Sequence, residues 1–244
     1  MRLDKYLADC GLGTRSGVKT FVKKGRVTVD GVTIRSNKFQ LDANEAIVCF
    51  DGKEVEHQTL FYYIMNKPAG VVSVTKDNLH KTALELLQEK DFREDLFAAG
   101  RLDKDTEGLL LITNDGLLAH EILSPSKHVE KEYYAELDGI AKDELIEKFA
   151  EGIELHGEKG NPFKGELKID DVRTTCASKS GYKSLVRLTI HRGVYHQVKR
   201  MFRAVGLEVV YLKRLRMGNL VLPDLNPGKY RPLTKEELEA LKKG

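Results

Sequence analysis

The chain has 244 residues, of which 41% are hydrophobic and 32% charged, and its formal net charge is +3. This composition excludes a disordered chain, and no stretch approaches the ~20 consecutive apolar residues of a membrane-spanning helix. The length predicts two domains.

The first sixty residues predict a compact unit that opens with two helices. Apolar residues recur at helical spacing over residues 2–10, and Gly11 and Gly13 end this helix. Thr14 and Ser16 can each cap a second helix, which runs to about residue 24.

Short strands follow these helices. Residues 26–32 predict a hairpin with a turn at Asp30-Gly31, and residues 46–50 predict a further strand. The polar segment 53–59 predicts a linker. We therefore divide the chain into domains at residues 1–58 and 59–244.

The second domain mixes strands and helices. The run Asn114-Asp115-Gly116 predicts a hairpin turn, so we expect an α+β fold with a mixed, mostly antiparallel sheet. Residues 82–90 and the segment after Thr234 each begin with a capping box, in which Glu follows Thr by three positions. The predicted strands are 60–66, 108–113, 131–137, 182–191 and 208–212, and the other predicted helices are 142–151 and 195–205.

Positive charge is concentrated in two stretches. Residues 1–40 carry nine basic side chains against three acidic ones, and residues 187–216 carry eight against one. This pattern indicates two contact surfaces for a polyanion, although solvated helix faces would produce it as well. The three cysteines match no disulfide framework and no metal-ligand spacing, and no apolar signal segment opens the chain, so we expect a cytoplasmic protein without a metal site.

The sharpest chemical feature is a polar loop directly before the apolar run 108–113. It contains Asp103, Asp105 and Glu107. A carboxylate held at the edge of a buried strand suits a functional site. Loop carboxylates also turn the chain and cap backbone amides, and on the residues alone this second interpretation is favoured.

Five segments in chain order resemble the motifs of pseudouridine synthases of the RsuA type, which modify small-subunit rRNA. The N-terminal unit, with Arg15-Ser16 opening a basic helix and residues 25–31 after it, resembles an S4 RNA-binding domain. One departure is Arg192, where the family has an acidic residue before the glycine of its final motif. The five segments are Asn66–Val72, Arg101–Leu111, Lys131–Tyr133, Gly193–Phe202 and Leu225–Thr234.

The resemblance implies isomerisation of uridine to its C-glycoside without a cofactor. Asp103 matches the catalytic aspartate, and it could attack the sugar, attack the base or remove a sugar proton. Because burial opposes ionisation of a carboxylate, a cation must lie nearby. Lys199 matches the basic residue of the final motif, and Arg200 is the alternative.

The target base must leave its helical stack to react. The resemblance implies that Tyr133 stacks on the flipped base, although a core aromatic is the alternative, and that Arg101 fills the gap left in the RNA. Asn66, Lys67 and Thr106 are expected to shape the pocket by hydrogen bonding. His196 and Gln197 stand at a helix start, where a cap or structural hydrogen bond is favoured over a general base. The candidates for RNA contact are Arg2, Lys5, Arg15, Lys19, Lys23, Arg26 and Arg200.

The implied partner is 16S rRNA or a small-subunit assembly intermediate, bound by a monomer away from any membrane. Residues 156–159 and 225–234 favour this target over 23S rRNA, which stays an alternative. A non-catalytic ribosome-associated RNA-binding protein would explain the basic stretches, but it does not explain the Asp103 loop. A hydrolase that pairs Asp103 with Asp105 or Glu107 is the weakest alternative.

Overall fold

The computed structural model describes residues 1–43, 45–55, 57, 59–158 and 160–243. Lys159, used above to favour a 16S target, and Gln58, at the proposed domain boundary, lie outside these residues. The chain forms two compact units, Met1–Phe61 with Leu87–Asp95, and Tyr62–Leu86 with Leu96–Gly244. The boundary between residues 58 and 59 stays a prediction.

The first unit packs two short helices on a small sheet. Its core contains Leu3, Leu7, Val18 and Val22, all fully buried. The sheet order is β2-β1-β3-β4, and all its pairs are antiparallel. The elements are α1 (Leu3–Asp9), α2 (Val18–Lys23), β1 (Val27–Val29), β2 (Val32–Thr33), β3 (Val48–Phe50) and β4 (Lys53–Glu54).

The hairpin predicted at Asp30-Gly31 is confirmed: both residues have positive φ, 50° and 80°, as a tight two-residue turn requires. The second helix starts later than either proposed cap. The hydroxyl of Thr14 accepts from the Gly17 amide (3.1 Å), which makes a turn before the helix. The predicted linker is wrong at its start, because Lys53–Glu54 pairs with β3 as an edge strand.

The described residues of the second unit form a nine-stranded sheet in the order β13-β5-β7-β11-β8-β10-β9, with β6 also on β7 and β12 on β11. Among these strands β7 and β11 pair in parallel and the others antiparallel, which confirms the mixed α+β fold. The strands are β5 (Tyr62–Lys67), β6 (Phe97–Ala99), β7 (Glu107–Thr113), β8 (Lys131–Asp138), β9 (Gly165–Thr174), β10 (Tyr182–Ile190), β11 (Glu208–Met217), β12 (Leu220–Val221) and β13 (Tyr230–Pro232).

The helices of this unit are α3 (Gly116–Leu123), α4 (Glu144–Glu151), α5 (Gln197–Ala204) and α6 (Lys235–Lys243), with single 3₁₀ turns at Leu84–Leu86 and Pro125–Lys127. The Thr234–Glu237 capping box is confirmed by reciprocal hydrogen bonds of 2.9 and 3.2 Å. No helix in the described ranges is long and apolar enough to cross a membrane.

Two local predictions for the part of the chain after residue 60 are wrong. Asp115 does not turn a hairpin, because its carboxylate accepts from the Leu118 amide (3.0 Å) and caps α3. The capping box at Thr82 forms, with Glu85 accepting from the Thr82 amide at 2.8 Å, but only one 3₁₀ turn follows it. The amides of residues 91 and 92 both bond to the Gln88 carbonyl instead, so the chain turns and does not continue a helix.

The sequence prediction missed β6, β9, β12 and β13 and ended β11 too early. β9 was not predicted, since most of it is exposed and its polar residues conceal the alternation. β11 continues past Leu212 to Met217 although Lys213, Arg214 and Arg216 interrupt its apolar pattern. The extension matters because it carries Arg214 into the interior of the sheet.

Candidate active site

Asp103 lies in the loop between β6 and β7, at the wall of a cavity of about 610 Å³. This volume is within the range of small-ligand sites. β7 is central and apolar, with Leu109–Ile112 fully buried, so the loop that precedes it is attached to a rigid strand. Other parts of the wall come from β8, β11 and the start of α5.

The carboxylate of Asp103 has two basic neighbours from one distant segment. Lys199 of α5 places Nζ 3.3 Å from Oδ2, and His196 places Nε2 3.5 Å from Oδ1. Lys199 also donates to Asp105 Oδ1 over 2.5 Å. Burial alone would raise the pKa of Asp105, but the hydrogen bond and charge of Lys199 hold that pKa below its usual value. One ammonium therefore lies between two carboxylates of the loop.

Arg200, the alternative cation, lies elsewhere. Its guanidinium donates to Glu158 Oε1 and to the His156 carbonyl, both over 2.7 Å. The structure thus brings Lys199 to Asp103 and leaves Arg200 paired outside the cavity wall. The catalytic and RNA-binding roles of these residues stay predictions.

Lys67 supports the Asp103 loop from behind. Its side chain is fully buried, and its Nζ donates to the carbonyls of Pro68, Asp103, Lys104 and Thr106 at 3.1, 3.1, 3.4 and 2.8 Å. Burial lowers the pKa of Lys67 to about 8, although the carboxylates of the loop oppose this shift. Lys67 does not line the cavity, so it acts on the backbone of the loop.

Asn66 does not line the cavity either. Its Nδ2 donates to the Leu225 carbonyl over 2.6 Å, and its main chain bonds to Gly228 and Lys229. Thr106 does line the cavity, and its Oγ1 is buried without a hydrogen-bond partner among the described residues. Of the three residues expected to shape the pocket, Thr106 alone faces it.

Tyr133 lines the cavity and is only 8% exposed. Lys131 lies two positions before it on the same buried face of β8, and Arg214 lies directly opposite Tyr133 on β11. Both cations also line the cavity. Neither cation was predicted to have a role of its own, although a basic residue between apolar ones in a strand was the available signal.

Tyr195 and His196 form a stacked pair at the cavity, with ring centroids 3.7 Å apart, and Tyr195 is 70% exposed. His196 is not the predicted cap: it has a left-handed backbone and no side-chain cap bond, and its ring points at Asp103. The prediction for Gln197 is confirmed, since its Oε1 accepts from the Val194 amide (3.2 Å). Arg101 is exposed on the cavity wall, and Arg192 lies over the Phe163 ring (4.5 Å).

In the first unit, the predicted RNA-contact residues fall into two groups. Arg2 and Arg15 both pair with the buried Asp4, at 2.6 and 3.3 Å. Burial alone would raise the pKa of Asp4, but the hydrogen bonds of Arg2 and Asn37 and the charge of Arg15 hold that pKa below its usual value. Arg26 pairs with Asp51 through both carboxylate oxygens. Lys5, Lys19 and Lys23 are exposed and form no ion pair within the described ranges.

The model of the RNA pseudouridylate synthase family matches residues 61–204, and that of the S4 domain matches residues 1–47. The chain is 46% identical to the "Uncharacterized RNA pseudouridine synthase YtzG" of Bacillus subtilis, over 99% of this chain and 98% of that protein. It is 42% identical to "Ribosomal small subunit pseudouridine synthase A" of Escherichia coli, over 99% of this chain and all of that one.

A solved pseudouridylate synthase has the same fold, with a TM-score of 0.66 and 37% identity over 99% of both chains. The resemblance deduced from the five segments and the S4-like unit is therefore confirmed, and so is the prediction of an isomerase. The chain belongs to the RNA pseudouridine synthase family and carries an S4 domain in its N-terminal unit.

Proposed function

We propose that this enzyme converts one uridine of small-subunit rRNA to pseudouridine, with Asp103 as the residue that starts the reaction. The observation that carries the proposal is the contact of Lys199 with Asp103 at the wall of a cavity large enough for one nucleoside. The small-subunit target is supported by the Escherichia coli relative, whose name specifies the small ribosomal subunit.

The chemistry needs an ionised carboxylate that is shielded from bulk water. The side chain of Asp103 is 26% exposed, and Lys199 and His196 lie beside its two oxygens. Lys199 places a positive charge beside the carboxylate, which suits either role of Asp103, attack on the substrate or removal of a proton. The overall change moves one C–N bond to a C–C bond and one proton from carbon to nitrogen, so no oxidant and no cofactor is required.

The cavity cannot admit a stacked duplex, so the uridine enters it flipped. Tyr133 is in position to stack on the base, and the exposed Arg101 to occupy the gap in the RNA. The S4 domain holds the RNA through phosphate contacts, which set position without reading sequence. We expect a monomer that works in the cytoplasm on 16S rRNA or an assembly intermediate.

Mapping of pseudouridine across both large rRNAs tests the target. In a strain that lacks the protein, we expect one 16S signal to disappear and to return with the wild-type gene but not with Asp103→Asn. Loss of a 23S signal instead would overturn the small-subunit assignment.

A pair of matched variants tests the residue. Asp103→Asn is expected to bind the RNA as wild type does and to turn over no uridine. Asp105→Asn removes a more exposed carboxylate, 73% exposed, from the same lysine, so we expect its activity to lie at least about a hundredfold above the detection limit that Asp103→Asn does not reach. Equal activities of the two variants would rule out Asp103 as the initiating group.

A further inference from the structure

Two cations lie buried in the cavity wall. The exposed fractions are 1% for Arg214 and 7% for Lys131. Arg214 Nε donates to the Leu109 carbonyl and Lys131 Nζ to the Val129 carbonyl, both over 2.8 Å. Within the described ranges neither forms an ion pair, and Arg214 Nη2 has no hydrogen-bond partner.

Two other basic residues of the same sheet have carboxylate partners, whereas the fully buried Lys67 donates to four backbone carbonyls. Arg216, two positions along β11, pairs with Glu130 and Glu132, and Arg187 of β10 pairs with Asp170. Burying a charge without a partner is unfavourable, and two like charges close together repel each other. Burial, together with the charge of Arg214, lowers the pKa of Lys131 to about 8. A negatively charged or electron-rich ligand would offset this cost.

The position of the two cations identifies that ligand. Lys131 shares a strand face with Tyr133, and Arg214 lies opposite Tyr133 in the register. The unpartnered Oγ1 of Thr106 lines the same cavity. The exposed groups of the wall, Arg101 and Tyr195, suit the RNA chain, whereas the buried cations lie beside Tyr133, the residue proposed to stack on the flipped base.

We propose that Lys131 and Arg214 bind the carbonyl oxygens of the uracil base and stabilise the negative charge that it acquires during the reaction. The inference rests on the proposed function. When the N1–C1′ bond breaks, its electron pair stays on the base, and the charge spreads to O2 and O4. The C5–C1′ bond then forms from electrons of the base, C5 releases a proton and N1 gains one, so the composition is unchanged.

The assignment holds for each route open to Asp103. If the carboxylate adds to C6, the electrons of the C5–C6 double bond move towards O4. If it attacks C1′ or removes a sugar proton, the base departs with the bonding pair. In every case the carbonyl oxygens gain charge, and fixed cations placed beside them lower the barrier without reorganisation.

The experiment combines protein variants with altered substrate atoms. Single-turnover rate constants and RNA affinities are measured for wild type, Lys131→Met, Arg214→Gln and the control Lys183→Met, on RNA carrying uridine, 2-thiouridine or 4-thiouridine at the target. Lys183 lies in the same sheet, pairs with Glu136 and does not line the cavity.

We expect each cavity variant to lower the rate constant about 10²–10³-fold, as for loss of one oxyanion donor, with RNA affinity changed less than threefold. Replacement of O2 or O4 by sulfur and loss of a cation should have non-additive effects on the rate constant, because both changes alter the same contact. Lys183→Met should behave as wild type with every substrate.

Additive effects of sulfur and variant would overturn the inference. A loss confined to RNA affinity and recovered at saturating RNA would also overturn it, and would assign the cations to a phosphate. Should Arg214→Gln fail to fold, Arg214→Lys keeps a charge and still tests the coupling to sulfur. An inactive wild-type enzyme refutes the proposed function, whereas active wild type with equally active variants refutes this inference alone.

Discussion

The ammonium group of Lys67 donates a hydrogen bond to the main-chain carbonyl of Asp103 over 3.1 Å. The carboxylate of Asp103 is meanwhile held by Lys199 from α5. Backbone and side chain of this residue are thus positioned by two different lysines, one buried behind the loop and one in the cavity wall.

Replacing Lys67 by Met should loosen the loop. The carbonyls of Asp103, Lys104 and Thr106 would lose their common donor. We expect amide hydrogen exchange to accelerate about tenfold or more over residues 103–106 and at Gly70, because the Gly70 amide bonds to the Lys104 carbonyl. A tenfold change corresponds to about 1.4 kcal/mol of local stability. Pseudouridine formation should fall with it. The exposed Lys81→Met is the control, and unchanged exchange in Lys67→Met would contradict the assigned role.

Removing the charge of Lys131 should stabilise the free protein. Burial lowers the pKa of Lys131 from 10.5 to about 8 in the folded state. Below pH 8 Lys131 is protonated in both the folded and the unfolded protein, so the full cost of burying its charge is present. The lowered pKa corresponds to a cost of about 3 kcal/mol. The hydrogen bond to Val129 offsets about 1 kcal/mol of this. We therefore expect Lys131→Met to raise the free energy of unfolding by about 2 kcal/mol at pH 7.

The pH dependence provides the sharper measurement. As pH rises from about 8 to 10.5, Lys131 loses its proton in the folded protein before it does so in the unfolded chain. The cost of burying the charge therefore disappears, and the free energy of unfolding of wild type rises towards that of Lys131→Met. Urea unfolding across this range measures the difference, from which the common contribution of Lys67 cancels. Lys183→Met should show no such convergence, and a Lys131→Met protein less stable than wild type at pH 7 would contradict the prediction.

Three exposed lysines of the first unit should set the salt dependence of RNA binding. Triple replacement of Lys5, Lys19 and Lys23 by Gln removes cations that have no ion-pair partner among the described residues. We expect the slope of log affinity against log salt to become shallower by about 2–3. Replacing Lys142, Lys148 and Lys164, exposed lysines outside the cavity wall, changes the net charge equally and should leave the slope nearly intact. Equal slopes for both triples would argue against phosphate contacts in the first unit.

The exposed ring of Tyr195 should contribute to substrate binding by stacking. It lies on His196 at the cavity wall with a 20° angle between the rings. Tyr195→Ala should weaken RNA binding by roughly 1–3 kcal/mol, while Tyr195→Phe should retain most of the affinity. Fluorescence titration with substrate RNA measures both, and a Phe variant as weak as Ala would assign the effect to the hydroxyl.

Local structure could be predicted from the sequence wherever residues close together in the chain determine it. Asp30-Gly31 makes its turn, and Thr234 caps its helix, because the partners in each case are a few residues away. Asp115 shows the limit: the same Asn-Asp-Gly run can turn a hairpin or cap a helix, and the apolar residues that follow it pack as α3. Family motifs identified the enzyme, and they point to Asp103 as its proposed initiating residue, without any knowledge of packing.

By itself the sequence determined the family, the α+β class and the segment that carries Asp103. Only the tertiary structure decided three things: that Lys199 contacts that carboxylate, that Lys67 donates to the backbone of the loop, and that Lys131 and Arg214 are buried at the cavity. The physical reason is that β11 pairs with both β7 and β8, strands about a hundred and about eighty residues earlier in the chain. Periodicity reports which face of a strand is apolar, but it holds no information on which strands become neighbours.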